Sequence, residues 1–183
     1  GAIRLCQKIY AAGEENYFYP DQYGNPANWR AHYEGTGVEL IRQTEGRITH
    51  FVTSLGTSGT FTGTSRRLKH DLPHVKCISA QPSSGFHGLE GLKHMPTAIV
   101  PAIYDPTLAD DNLWIETEDA YRMTRWLGRQ EGLLVGMSSG ANVHAAQVIG
   151  QRMAAAGQTG VVVTMLCDGA AKYLSESFWN DQD

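Results

Sequence analysis

The stretch Ser54-Leu55-Gly56-Thr57-Ser58-Gly59-Thr60-Phe61-Thr62-Gly63 limits what this chain can fold into more than any other. It follows Ile48-Thr49-His50-Phe51-Val52-Thr53, an apolar, β-branched run that reads as a buried strand. It leads into Thr64-Ser65-Arg66-Arg67-Leu68-Lys69, which reads as a helix. A strand, a small-residue turn and a helix start make an anion site. Glycines let backbone N–H groups converge, the hydroxyls of Thr57, Ser58 and Thr60 add donors, and the helix N-terminus supplies partial positive charge. The loop contains no Lys or Arg; Arg66, Arg67 and Lys69 come later, where the helix dipole favours cations. Such a loop can hold a phosphate dianion without a lysine. Gly56, Gly59 and Gly63 give G-x-x-G-x-x-x-G, which is neither the dinucleotide fingerprint nor the Walker loop, since no Gly-Lys-Ser/Thr comes after it. A tight connection with no ligand fits the same residues, so the rest of the chain has to decide.

Residues 75–80 read as a second strand, so strand, helix and strand predict a βαβ crossover and a parallel sheet. The segment 81–111 holds four of the seven prolines and no sustained period, which predicts an irregular excursion. Leu113-Trp114-Ile115 is a short strand, after which Thr117 is expected to cap a helix reaching Gln130. Leu133-Leu134-Val135 leads to a second small-residue turn, Gly136-Met137-Ser138-Ser139-Gly140, and an Ala-rich helix over 141–155. Residues 160–166 read as a buried strand ending at Cys167-Asp168-Gly169, and ligands gather at the C-terminal ends of parallel strands.

Before the loop, residues 2–12 place Ile3, Leu5, Cys6, Ile9 and Tyr10 on one helical face. Residues 16–19 suggest a short strand, 21–28 a turn-rich stretch broken by Gly-Asn and Asn-Pro, and 29–33 and 37–43 two helices interrupted at Gly35-Thr36-Gly37. No strand precedes the first helix, so the chain is expected to start inside a domain.

The 183 residues suffice for a real core, and 42% hydrophobic content with 20 glycines describes an ordinary α/β protein. A net charge of −4, with both signs mixed, points away from nucleic acid and from an anionic membrane surface. No apolar run spans a bilayer and no leader is visible, so the expected compartment is the cytoplasm. Three widely spaced cysteines without C-x-x-C argue against a disulfide framework and a structural zinc site. Cys6 and Cys77 read as small buried hydrophobes. His70 and His74 have a ligand-like spacing, but Pro73 breaks the helix between them, and no metal is expected.

Taken together, several stretches resemble the pyridoxal-phosphate enzymes of the tryptophan-synthase β-subunit superfamily, and within it the cysteine synthases (O-acetylserine sulfhydrylases). They are Asp21-Gln22-Tyr23-x-Asn25-Pro26-Ala27-Asn28, His32-Tyr33-x-x-Thr36-Gly37-x-Glu39, Gly46-Arg47-Ile48-Thr49-His50-Phe51-Val52 into Gly56-Thr57-Ser58-Gly59-Thr60, Glu131 to Ala141, and Lys172-Tyr173-Leu174-Ser175. Five motifs in family order over nearly the whole chain make the resemblance specific. The segment 91–101 and the Cys167-Asp168 pair look like the B-type enzymes. The resemblance implies a fold type II architecture: a large α/β domain over 33–183 with a doubly wound, mostly parallel sheet and helices on both faces. Residues 1–32 would then be the remnant of a smaller α/β domain. It implies that Gly56, Thr57, Ser58, Gly59 and Thr60 cradle the phosphate of pyridoxal 5'-phosphate, that Ser138 meets the pyridine nitrogen and that Cys167 faces the cofactor ring. A neutral hydroxyl at Ser138 leaves that nitrogen largely unprotonated, which suits β-elimination rather than transamination. Gln22, Lys93 and His94 match residues near an anionic amino-acid substrate. Plainer roles compete: a helix cap for Ser138 or Ser139, a core thiol for Cys167, a turn side chain for Gln22 and solvated loop charges for Lys93 and His94.

The implied activity is formation of L-cysteine from O-acetylserine or O-phosphoserine and sulfide or another sulfur donor, in a homodimer. Cystathionine β-synthase or serine/threonine dehydratase chemistry shares the same loop logic, and an inactive split domain is the third reading. Two departures from the family pattern stand out. The tail motif lacks its acid, reading Ala170-Ala171-Lys172-Tyr173-Leu174-Ser175. The family's Ser-x-Lys-Asp-Arg segment, which carries the Schiff-base lysine, and its Thr-Ser-Gly-Asn-Thr-Gly loop do not occur. The chain is therefore expected to be the C-terminal portion of a longer enzyme. No catalytic residue of its own is expected, it should be inactive alone, and its partner would be the missing N-terminal segment or a complementing chain.

Overall fold

Side chains alternate along strand β1 (Ile48–Ser54), and each of its faces feeds a separate core. The computed structural model, which describes residues 2–181, pairs β1 in parallel with β2 (Lys76–Pro82) on one side and β4 (Val161–Thr164) on the other. β2 in turn pairs in parallel with β3 (Asp111–Ile115), giving the order β3-β2-β1-β4. Ile48 and Phe51 join Cys77 of β2 and Phe61 and Leu68 of helix α4 (Gly59–Asp71) in one cluster. Val52 joins Ile78, Ala80, Ala120 of α5 (Thr117–Gln130) and Ala141, Ala145 and Ile149 of α6 (Met137–Ala155) in the other. Helices thus cover both faces of a parallel sheet, the doubly wound α/β class expected from the sequence. Phe51, Phe61, Ile48, Leu55 and Leu68 are fully buried, each stabilising the fold by about 1.5–3 kcal/mol relative to exposure.

Several local expectations need correction. Residues 16–19 form no strand: Asn16 ends a 3-10 turn, Glu14–Asn16, and 17–19 have no regular structure. Asn25-Pro26 starts a helix instead of breaking one: the Asn25 side chain accepts from the Ala27 N–H at 2.9 Å, and Pro26 occupies the first turn, where no N–H is needed. Helix α2 (Pro26–Ala31) continues through a π turn, His32–Thr36, into α3 (Gly37–Gln43), so the glycines widen the helix without ending it. His32, the last residue of the smaller domain that the resemblance implies, opens the π turn of this run. α5 is preceded by Glu116 with no side-chain cap, because Thr117 Oγ1 accepts from the Gly88 N–H at 3.3 Å. β4 is half-buried and not a central strand, since it is an edge of the sheet and pairs only with β1 among the described residues. Helix α1 (Ala2–Ala12) has the expected span but no buried residue, which leaves Leu5, Ile9 and Cys6 exposed, contrary to the core role read for Cys6. Among the described residues no helix is long and apolar enough to cross a membrane.

Candidate active site

From β1 the chain goes outward to β2 and β3 and then crosses back to β4 on the other side of β1, so the strand order reverses at β1 and β4, and ligands of open α/β sheets bind at such a switch point. A cavity of about 380 Å³ opens there. Its walls include Gly56, Thr57, Ser58 and Thr60 from the turn after β1, Ser138 from the first turn of α6, and Cys167 and Asp168 beyond β4. A short antiparallel clamp holds the last two sets together: the Gly136 N–H donates to Asp168 O at 3.0 Å and the Ala170 N–H to Leu134 O at 3.0 Å.

The turn after β1 is held by its neighbours. The Leu55 N–H donates to Ala80 O, and Leu55 O accepts from the Lys93 N–H at 2.8 Å, which lays residues 91–93 beside the turn. A Cβ on Gly56 would stand 2.5 Å from Gly91 O, and only glycine permits that approach. Gly59 packs against Asn28, whose Nδ2 donates to Gln22 O at 2.7 Å and to Thr57 Oγ1 at 3.2 Å. Ser58 adopts φ +69°, the left-handed region that a serine reaches only under constraint. Its side chain is 3% exposed, and its Oγ has no hydrogen-bond partner. Thr60 Oγ1 lies 3.3 Å from His32 Nε2, and burial pushes the His32 pKa below its usual value, which favours the neutral ring.

At the other end, the Tyr173 hydroxyl donates to Asp168 Oδ2 at 2.9 Å. Burial, then this carboxylate, pushes its pKa up to about 12, so it stays a donor. Lys172 Nζ is 3.8 Å from the same oxygen. Asp168 Oδ1 is buried without a partner. Cys167 is exposed at the cavity mouth, yet desolvation of its thiol by the surrounding wall holds its pKa above the ordinary value, which argues against a resting thiolate.

The cavity therefore gathers Gly56, Thr57, Ser58, Thr60, Ser138 and Cys167, with Gly59 as packing behind the turn. It does not gather Gln22, Lys93 or His94. Gln22 lines a separate pocket beside α1 and meets the site only through its carbonyl bond to Asn28. The Lys93 ammonium stands 4.8 Å from the Tyr23 ring centroid, and the His94 ring packs 5.5 Å from Trp114 with Nδ1 2.9 Å from Thr97 Oγ1. Sequence reasoning missed Glu90, Gly91, Leu92, Lys172 and Tyr173 as wall residues. The acid missing from the tail motif has a counterpart upstream: Asp168, three residues before the position where an acid is expected, provides the carboxylate that Tyr173 meets. The strand-end position of Asp168 was the available signal.

A parallel sheet with a cation-free, glycine-rich turn at its switch point is the architecture of cofactor-binding α/β domains. The chain belongs to the pyridoxal-phosphate-dependent enzyme family, whose pattern it matches over residues 1–168, and pyridoxal phosphate is the cofactor of that family. It is similar to a cysteine synthase of Aquifex aeolicus, 46% identical over 183 residues, covering 100% of this chain and 56% of that protein. It is also similar to cysteine synthase B of Escherichia coli, 40% identical over 182 residues, covering 100% of this chain and 58% of that protein. Among solved structures, a cysteine synthase from Entamoeba histolytica superposes with a TM-score of 0.89 at 30% identity, over 100% of this chain and 55% of that one. The chain thus spans little more than half the length of these relatives.

Proposed function

We propose that this chain is the cofactor-anchoring part of a cysteine synthase that makes L-cysteine from O-acetylserine or O-phosphoserine and sulfide or another sulfur donor by β-replacement. The observation that carries the reading is the convergence of the β1 turn, Ser138 and Cys167 on one cavity at the switch point. The residues fit the cofactor. The unpartnered, buried Ser58 Oγ in a strained turn is an acceptor-seeking hydroxyl, as a phosphate requires. In this reading Gly56, Thr57, Ser58, Gly59 and Thr60 hold the phosphate with backbone N–H groups and hydroxyls, and no cation is needed. Ser138 Oγ donates to the pyridine nitrogen, and Cys167 borders the ring. Pyridoxal phosphate, when bound, supplies the electron sink that acidifies an amino acid's α-proton and lets its β-substituent leave. Tyr173, fixed as a donor to Asp168, closes the pyridine end against water.

Gln22, Lys93 and His94 are proposed to meet the substrate from outside the cavity walls. Lys172 lies at the rim against Asp168, and we assign it no covalent role. The covalent lysine is proposed to come from polypeptide beyond this chain. The half-buried outer edge of β4 and the exposed Leu134, Leu166 and Leu174 offer that polypeptide an apolar surface. α1, which buries no residue, is assigned to a smaller domain within residues 1–32. A cytoplasmic homodimer completes the proposal.

The test is to titrate the purified chain with pyridoxal phosphate and assay cysteine formation from O-acetylserine and sulfide, alone and with the remaining polypeptide. Weak, non-covalent cofactor binding with turnover only in the complemented sample is expected. Turnover by the chain alone would overturn the assignment of the lysine to another segment, and release of ketoacid without cysteine would overturn the synthase reading.

A further inference from the structure

A second cavity, of about 250 Å³, opens at the opposite end of the sheet, where the strands begin, and the function proposed above makes no use of it. Ile78 of β2 and Ile149 and Met153 of α6 give it a buried, apolar floor. Charges of both signs stand around that floor. Arg152 Nη1 meets Asp111 Oδ2 at 2.9 Å, and both side chains are half-exposed, so the pair can open to a ligand at small cost. Asp110 Oδ2 is taken by Lys69 Nζ at 2.7 Å and by the Cys77 N–H at 2.8 Å, which leaves Oδ1 a loose contact with Lys76 Nζ at 3.9 Å. Burial, then Lys76, lowers the His50 pKa, so this wall residue adds no further positive charge at neutral pH. Helix α6 runs between the two cavities. Ser138 in its first turn lines the one at the switch point, and Arg152 in its last turn lines this one, roughly 21 Å further along the helix.

We propose that this cavity is a second ligand site, for a free α-amino acid with an apolar side chain: its carboxylate meets Arg152 and Lys76, its ammonium meets Asp111 and Asp110, and its side chain covers the floor. The volume lies below the roughly 300–1,000 Å³ of drug-sized sites, so the ligand is small. A simple anion would face two carboxylates and the partial negative charge at the C-terminal end of α6. A simple cation would face Lys76 and Arg152, with Lys69 behind Asp110. A wholly apolar ligand would take water from the charged rim and give nothing in return. A zwitterion with an apolar body answers all three objections. Each of its charges replaces part of an exposed ion pair, and its side chain removes the floor from water. The site is separate from the cavity that gathers the β1 turn, so an amino acid bound here neither needs the cofactor nor displaces it.

The test uses the full 183-residue chain without cofactor, L-leucine as the probe, and the ¹³C-methyl resonances of Ile78, Ile149 and Met153 as the readout. L-Leucine is expected to shift all three saturably, with a dissociation constant on the order of 1 mM, as suits a ligand this small. The same carbon skeleton without the ammonium (4-methylpentanoate) or without the carboxylate (3-methylbutylamine) is expected to bind about tenfold more weakly. Arg152→Gln and Asp111→Asn alter half-exposed side chains, so the spectrum of the folded chain should persist, and each should weaken L-leucine binding about threefold to tenfold. If either analogue binds as tightly as L-leucine, one of the two charges is not recognised and the zwitterion assignment is overturned. If either variant binds L-leucine like the wild type, the rim charges are not the recognition groups and the proposal falls. If L-leucine shifts none of the three methyls up to about 20 mM, the cavity is no amino-acid site.

Discussion

Two small-residue turns, Gly56 to Thr60 and Gly136 to Gly140, stand at neighbouring strand ends, look alike in composition and do opposite things with their polar groups. In the second, Gly136 has an ordinary φ of −75°, the Ser139 hydroxyl accepts the Cys167 N–H, and Gly140 lets α6 press onto Thr124 and Ala120 of α5. Ser138 apart, which lines the cavity, its groups serve the protein. In the first, Ser58 is forced into left-handed backbone while its buried hydroxyl finds no partner. Strain combined with an unsatisfied buried donor is what a site awaiting an anion looks like, since neither feature helps the fold by itself. Composition predicts a turn, and only the fate of each hydroxyl tells a structural turn from a binding one.

The largest test of this contrast adds one carbon to each turn. A Cβ at Gly140 would stand 2.0 Å from Thr124 Oγ1 and 2.4 Å from Ala120 O, so Gly140→Ala should force α5 and α6 apart and destabilise by about 3 kcal/mol. Gly56→Ala meets Gly91 O at 2.5 Å and should cost about 2 kcal/mol. In addition it should abolish cofactor binding at concentrations where the protein is still folded. Urea melts paired with pyridoxal-phosphate titration separate the two effects. A Gly56→Ala protein that binds cofactor like wild type would remove the distinction between the turns.

Next in size is Ser139→Ala. It strips the acceptor from the part-buried Cys167 N–H, and the loss of that hydrogen bond costs about 1 kcal/mol. The melting temperature should fall, and cofactor affinity should drop only as far as stability dictates. Ser58→Gly should do the reverse. Relief of the left-handed backbone and loss of the unpartnered hydroxyl should stabilise the free chain by about 0.5–1 kcal/mol, or roughly 1–4 °C. Affinity for the cofactor should fall roughly tenfold as a hydrogen bond to a charged phosphate is lost. If Ser58→Gly lowers the melting temperature, the strain is not where the backbone angle puts it.

The turn after β1 is legible in the sequence because its ingredients are local: a β-branched strand, three spaced glycines and a hydroxyl cluster before a helix. The parallel sheet comes from strand–helix–strand order, and Ser138 and Cys167 are legible as helix-start and strand-end residues. The features that escape depend on approach in space. Asn142 reads as one polar residue in an Ala-rich helix, and nothing local says that it joins Ser54, Met165 and Cys167. The Asp168–Tyr173 bond links positions whose spacing matches no helix or strand period. The apolar run 160–166 looks buried because composition cannot report that β4 is an edge of the sheet. Asn25-Pro26 reads as a breaker because the same pair either ends a helix or caps one, and the outcome is set by whether residues 27–31 can continue the turn.

The smallest expected effect concerns pH and includes the wall of the first turn. His32 sits between Thr36 Oγ1 at 3.0 Å and Thr60 Oγ1 at 3.3 Å, and burial lowers its pKa below that of an exposed imidazole. The unfolded chain protonates this ring near its ordinary pKa of about 6.5, before the folded protein does. Below that pH the unfolded state binds more protons, so stability rises with pH through the window and falls as pH drops from about 7 toward the depressed folded value. His50 and His87 are shifted in the same direction, His50 by burial and then Lys76, His87 by burial and then His94, so the whole protein should share the slope. Thermal melts between about pH 5 and 7.5 should show it, and His32→Asn, which keeps a polar neighbour for Thr60, should flatten part of it. An unchanged slope in the variant would show that the His32 ring titrates alike in both states. It would then contribute nothing to the difference between a turn built for the protein and one built for a ligand.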